Sequence, residues 1–155
     1  MRMIVMSDSH NDKEMLKSII AEHRNNANLF VFLGDGVDEF EDITQFDSKI
    51  KTVIVNGNCD FNSNADKYEL FDFAGKKIFA THGDLYGVKG NLTKLKQTAT
   101  EKGADICLYG HTHIQHHETD GNLIVINPGA VSGAGKYCII DVVDGEAEFK
   151  LINGG

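Results

Sequence analysis

The sequence predicts an α/β protein built on two β-sheets that pack face to face with helices on the outside. Three observations predict it. Short apolar runs with β-branched and aromatic residues recur along the chain, each bounded by turn residues, as in buried strands. In the first half these runs alternate with helix-like stretches in the order β, α, β, α, β, which favours a parallel sheet with right-handed crossovers. The second half turns to strand pairs joined by short glycine-bearing connections, the mark of hairpins.

Residues 3–6 are the first strand, and a helix is expected over about 12–24. Asn11 or Asp12 caps it, Met15, Leu16, Ile19 and Ile20 form its apolar stripe, and Lys13, Glu14, Lys17, Glu22 and His23 face water. A strand over 29–33 precedes an acidic, weakly helical stretch over 37–46, and a strand over 52–55 closes the first half. The runs 68–73 and 77–80 pair across Ala74-Gly75-Lys76. A helix over 91–102 is capped by Asn91, buries Leu92, Leu95 and Ala99, and stops at Gly103. Strands over 117–119, 123–126, 137–142 and 146–151 complete the chain, turning at Asp120-Gly121-Asn122 and Asp144-Gly145. No repeat, linker or low-complexity tract interrupts it, so residues 1–155 are expected to form one domain.

Composition sets bounds on function. At 155 residues the chain is long enough to bury roughly 70% of its unfolded surface without disulfides. Cys59, Cys107 and Cys138 are odd in number and show no Cys-x-x-Cys spacing, which points to a reducing cytoplasm. No apolar segment has the length of a signal peptide core or a membrane span. A net charge of −8 and a pI near 5.2 argue against nonspecific binding to long nucleic acid. They do not argue against a small phosphate ester, because bound cations outweigh global charge locally.

The informative residues lie in the turns at the strand ends. Asp8-Ser9-His10, Gly34-Asp35, Gly57-Asn58-Cys59-Asp60, Thr81-His82-Gly83-Asp84 and Gly110-His111-Thr112-His113 each come directly after an apolar run. Strand carboxyl ends share one edge of an open α/β sheet, where binding sites form, so these loops are expected to build one site. Asp-x-His, Gly-Asp and Gly-Asn-Cys-Asp alone read as turn chemistry, whereas Gly110-His111-Thr112-His113, two imidazoles one residue apart at a strand end, already favours metal ligation by itself. The ordered set Asp8, His10, Asp35, Asn58, His82, His111 and His113 does not read as turn chemistry, and its oxygen and imidazole donors suit metal ions.

In this order these residues resemble the calcineurin-like metallophosphoesterase family. The match runs from Asp8 to Asn127-Pro128-Gly129. Asn127-Pro128-Gly129-Ala130-Val131-Ser132 and the short length are similar to its small bacterial and archaeal phosphodiesterase branch. The resemblance implies a four-layer α/β/β/α sandwich of two mixed sheets around a di-metal centre. It places Asp8, His10, Asp35 and His113 on one ion and Asp35, Asn58, His82 and His111 on the other, with Asp35 shared. It implies hydrolysis of a small phosphodiester by in-line attack of a hydroxide held between two cations, with no protein nucleophile. Mn²⁺ suits the donors best, and Fe, Co, Ni and Zn are compatible. Asn58 and His82 then act in catalysis through the metals.

Two positions depart from many relatives. Cys59 stands where histidine is common after glycine and asparagine, and as a thiol near pKa 8.5 it is the poorer proton donor. Ala130 replaces a common serine and reads as a small residue packing a turn. Asp60 is a candidate to orient a ligand imidazole or to cap a turn. His116 and His117, just past the ligand loop, are expected to face water rather than to touch substrate, and Phe61, Phe71, Phe73 and Tyr86 could wall a pocket, with core packing the default. Two other readings use the same residues. One is a phosphomonoesterase or short-strand nuclease. The other is a non-catalytic interaction scaffold of the retromer-subunit type, against which all seven ligand positions here are chemically competent. No membrane partner is expected, and a homo-oligomer is left open.

Overall fold

A computed structural model describes residues 1–154. The first sheet has the order β10-β9-β1-β2-β3, with β1 at Arg2–Met6, β2 at Leu29–Phe32, β3 at Thr52–Ile54, β9 at Lys136–Val143 and β10 at Glu146–Asn153. The second has the order β4-β5-β6-β8-β7, with β4 at Tyr68–Phe73, β5 at Lys76–Thr81, β6 at Ile106–Leu108, β7 at His116–Asp120 and β8 at Leu123–Asn127. Strands β1, β2 and β3 are parallel, as are β5, β6 and β8, while β9 pairs antiparallel with β1 and β10, β4 with β5, and β7 with β8. Both sheets are therefore mixed.

Strand alternation produces the layers. Successive side chains leave a strand on opposite faces. In β1, Met3 and Val5 join the core between the sheets, while Ile4 and Met6 face α1 (Lys13–His23) and α2 (Val37–Thr44). In β5, Ile78 and Ala80 face the other sheet, and Phe79 packs with Leu95 and Ala99 of α3 (Thr93–Glu101). Strands covered on both faces read as continuous apolar runs, which is why they are visible in the sequence. The result is the expected α/β/β/α sandwich.

Local details differ from expectation. His23 is buried, not solvent-facing, with Nε2 2.8 Å from the Tyr137 hydroxyl of β9. A polar partner on a distant strand lets an imidazole lie inside. The third helix starts two residues later than expected, with Leu92 at the cap position, although the Asn91 side-chain oxygen still accepts the Thr93 N–H at 3.1 Å. Strand β9 leaves the hairpin-rich half and pairs antiparallel with β1, carrying β10 to the edge of the first sheet.

The parallel strands end along one edge, and hydrogen bonds tie the loops there. Asp8 N–H donates to Gly34 O at 2.9 Å, Gly110 N–H to His82 O at 2.9 Å, and Val131 N–H to Ser7 O at 2.9 Å. The last joins the second sheet's final loop to the first sheet.

Candidate metal centre

The turns leaving β1, β2 and β6 share an uncommon backbone. Asp8, His10, Asp35, His111 and His113 all have positive φ, from 39° to 72°. This left-handed region costs a side-chain-bearing residue about 1 kcal/mol or more, and Asp, Asn and His accept it best among non-glycine residues. Five such residues at one edge are a concentration of backbone strain of the kind that marks functional sites.

Their side chains converge in two groups. Asp8 Oδ1 lies 3.4 Å from His10 Nε2 and 3.2 Å from His113 Nε2, and the two imidazole nitrogens are 3.1 Å apart. Asp35 Oδ2 lies 3.3 Å from His82 Nε2, which is 3.2 Å from His111 Nδ1. Both carboxylates reach across: Asp35 Oδ2 is 3.7 Å from His10 Nε2, and Asp8 Oδ1 is 3.9 Å from His82 Nε2. The structure therefore joins the two groups through both aspartates, Asp35 being the nearer to its opposite imidazole.

The donor set fits divalent cations. Donors about 2.1 Å from a common ion sit roughly 3 Å apart, the spacing seen in each group. Asp8 Oδ1 is fully buried and has no hydrogen-bond partner, and an unmatched buried carboxylate oxygen is costly unless a cation faces it. The ring nitrogens of His10 and His113, and of His82 and His111, approach to 3.1 and 3.2 Å, as donors around a common ion would.

Electrostatics of the ion-free groups agree. Burial pushes the Asp35 carboxyl up, but the His82 imidazole and the Cys59 N–H outweigh it and hold the pKa at about 2. Burial lowers His82, yet Asp35 and Asp8 raise it overall. His111 is lowered by burial and by the His82 charge.

Neighbours orient the donors. The Ser7 hydroxyl donates to Asp8 Oδ2 at 2.5 Å and the His111 N–H reaches the same oxygen at 3.1 Å, leaving Oδ1 for the site. His82 Nδ1 sits 2.7 Å from Leu33 O, which fixes Nδ1 as the protonated nitrogen and turns the Nε2 lone pair inward. Asn127 donates to Gly110 O at 3.1 Å and Thr112 Oγ1 at 3.0 Å, holding the His111–His113 loop. A Cβ at Gly57 would overlap the Asp35 carboxylate and one at Gly110 the Ser7 hydroxyl, so both must be glycine.

The remaining candidates take other places. Asp60 touches no ligand imidazole. Its carboxylate accepts the N–H groups of Asp35, Gly36, Val37 and Gly57 at 2.7 to 3.0 Å, clamping two loops and capping α2. Asn58 is exposed, with Nδ2 3.5 Å from Cys59 Sγ. The N–H of the next residue, Cys59, donates to Asp35 Oδ1 at 2.8 Å. Burial and Asp35 raise the exposed Cys59 thiol, keeping it protonated at neutral pH. His116 pairs with Glu118 at 2.9 Å and the His117 ring packs on Phe149, and neither belongs to the two donor groups. Ala130 is buried in its turn. Phe73 is in the core as expected, whereas Phe61 is 87% exposed. It lines a cleft of about 400 Å³ with His10, Asp35, Asp38, Glu39 and Cys59. Sequence reasoning misses the roles of Ser7, Leu33 O and Asn127. Asn127 figures there only as part of the Asn127-Pro128-Gly129 motif, and the signal for Ser7 is a small polar residue directly before Asp8 at the end of an apolar strand.

The calcineurin-like phosphoesterase superfamily domain matches residues 1–145, and the chain belongs to that family. A probable metallophosphoesterase, YsnB, of Bacillus subtilis is 34% identical over 84% of this chain and 75% of its own length. Phosphodiesterase YfcE of Escherichia coli is 36% identical over 53% of this chain and 45% of its own. Among solved structures, a Streptococcus pneumoniae protein described as a predicted phosphoesterase superposes with a TM-score of 0.81 at 26% identity, covering 99% of this chain and 89% of that one. Zinc-complexed Vps29 of Entamoeba histolytica, with a TM-score of 0.78 at 18% identity over all of both chains, shares the fold.

Proposed function

We propose that the protein is a metal-dependent phosphodiesterase of small substrates. The observation that carries this is the buried, unpartnered Asp8 Oδ1 between two groups of converging donors. In this reading Asp8, His10 and His113 would hold one divalent ion and Asp35, His82 and His111 the other, with Asp35 as the shared ligand. Asn58, on the turn that also carries Cys59, would be the further ligand of the second ion. Two such cations supply charge neutralisation for the phosphoryl oxygens and an acidified water. Mn²⁺ is favoured for the mixed oxygen and imidazole donors, with Fe, Co, Ni or Zn as substitutes.

The chain's own residues position these parts. Ser7 and the His111 N–H hold Asp8, Leu33 O holds His82, and Asp60 holds the turns bearing Asp35 and Asn58. Cys59 stands at the rim, where its Sγ accepts from Asn58 Nδ2 at 3.5 Å. The acid-lined cleft beside the site favours a singly charged diester over a dianionic monoester and over a polyanionic strand. The name of the Escherichia coli relative supports the same choice. Three unbridged cysteines fit a reducing cytoplasm, and residues 1–155 act as one domain.

A panel in Mn²⁺ of bis-p-nitrophenyl phosphate, p-nitrophenyl phosphate, cyclic nucleotides and short single-stranded DNA tests this. The diester is expected to turn over fastest and only with added metal. Metal-independent turnover, or none with any metal, contradicts the proposal, and the latter outcome favours the scaffold reading.

A further inference from the structure

We infer that the cleft beside the metal centre receives the non-leaving alcohol of the diester, and that this alcohol carries an ammonium group. The inference rests on the phosphodiesterase reading. The cleft, of about 400 Å³, is walled on one side by His10 and Asp35, so a group seated in it stays within reach of a phosphate at the centre. Its far wall carries Asp38, Glu39 and Asp42 against one ammonium, that of Lys13, already 3.3 Å from Asp42 Oδ2. A cleft lined by charge of one sign concentrates the opposite sign within it.

A further observation points to an organic cation. Glu39 Oε1 accepts the Asn11 N–H at 2.7 Å, which holds this carboxylate in the cleft wall. At the cleft's edge the Phe61 ring is 87% exposed. An aromatic face beside carboxylates is the pairing that recognises alkylammonium groups. Among the described residues the cleft acids do not converge as the two metal groups do, so a diffuse cation fits better than a third ion. Asp38 and Asn62 also border an adjoining hollow of about 550 Å³ holding Glu41, Asp66 and Glu69, which extends the negative field outward.

The reaction on such a substrate balances as ordinary hydrolysis. Water's oxygen bonds to phosphorus, the other ester P–O bond breaks, and the released alcohol takes the remaining proton or leaves as its anion. The ammonium-bearing monoester is the second product. Its extra negative charge in an acidic cleft favours its release.

The test compares kcat/KM of the Mn²⁺-loaded protein for p-nitrophenyl phosphorylcholine and for p-nitrophenyl 3,3-dimethylbutyl phosphate, in which carbon replaces nitrogen. Both release p-nitrophenolate, so leaving-group chemistry is constant. A preference of about tenfold for the choline ester is expected, the scale of one exposed cation–π contact with one ion pair. That preference is expected to shrink with added salt and to fall toward one in Phe61→Ala and in Asp38→Asn. A readout independent of turnover is the ring signals of Phe61 in the metal-free protein, which should shift with choline and not with 3,3-dimethylbutanol. Inhibition by glycerophosphocholine or by phosphatidylcholine vesicles tells a soluble source from a lipid one, and inhibition by neither counts against the subsite. Equal turnover of the two esters, with no choline-dependent ring shift, overturns the inference and leaves the phosphodiesterase standing. Failure to hydrolyse either ester or bis-p-nitrophenyl phosphate overturns both.

Discussion

The two donor groups use the same residue types in different surroundings. Asp35 and His82 have side chains 3% and 0% exposed, and His82 is fixed at both nitrogens by Leu33 O and the site itself. Asp8 is equally buried, but its partners His10 and His113 are 32% and 49% exposed, and their contacts are made through Nε2. An imidazole already held in its binding orientation loses little freedom when it takes a ligand, whereas an exposed one must be ordered first. The inner group is thus expected to bind its ion tightly and the outer group to exchange it readily.

The largest effect should come from breaking what the groups share. Asp35→Asn removes the nearer bridging charge and is expected to lower diester turnover on the order of 1,000-fold, the loss of several kcal/mol of metal-borne stabilisation. Elemental analysis should find it poorer in metal than Asn58→Ala. Full occupancy in Asp35→Asn would show that the two ions do not depend on it.

His82→Ala and His113→Ala separate the groups by stability. Losing the buried His82 ring opens a cavity and leaves Leu33 O without its donor, at a cost of about 2 to 4 kcal/mol in urea unfolding of the metal-free protein. Truncating half-exposed His113 should change that stability by under about 0.5 kcal/mol. Similar losses in both would erase the distinction.

Asp60→Asn tests the clamp beneath the inner group. One amide oxygen cannot serve four N–H donors as a carboxylate does, so stability should fall by about 1.5 to 3 kcal/mol and inner-metal affinity with it. Unchanged stability would mean that the loops hold themselves. Cys59→Ala should be milder still, with metal content intact and turnover of bis-p-nitrophenyl phosphate reduced by less than the roughly 100-fold typical of a lost general acid. A larger loss at full occupancy would give the thiol a direct part in the reaction.

The smallest effect lies outside the site and gives the comparison its scale. Arg2 meets Asp141 at 2.8 Å, and that contact holds the Asp141 carboxyl below its ordinary range. A depressed carboxylate stabilises the fold above its unfolded pKa, and the contribution disappears as pH falls through the folded one. Both side chains are about one-third exposed, so Asp141→Asn should cost only about 0.5 kcal/mol at neutral pH, with the difference from wild type closing below roughly pH 4. A gap that persists in acid would assign the loss to something other than the ion pair.

Much of this site is legible in the sequence because its donors sit at strand ends, where a local pattern and a chain-wide arrangement coincide. Asp8, Asp35, His82 and His111 can be read from an apolar run ending in a polar turn. The four layers are legible for a related reason, since doubly covered strands leave continuous apolar runs. The features that escape reading depend on contacts between distant segments. Nothing around His23 announces Tyr137, and nothing near residue 136 announces that β9 will cross to β1. For Asp60 the turn-capping alternative is the one the structure shows, while its reach to N–H groups on a second loop depends on how two loops meet, which no local spacing encodes. Phe61 belongs to the core by residue type, and only the fold shows it exposed beside the acids.

The central claim is one site of two unequal metal positions that work together, and stepwise Mn²⁺ titration of metal-free protein tests it most directly. Bound metal and bis-p-nitrophenyl phosphate hydrolysis would be followed in the same samples. The structure predicts two equivalents, the first bound more tightly, with turnover appearing only as the second is taken up, and one tight equivalent without turnover in His113→Ala. A single equivalent supporting full turnover, or two equivalents of equal affinity both lost in His113→Ala, would contradict it.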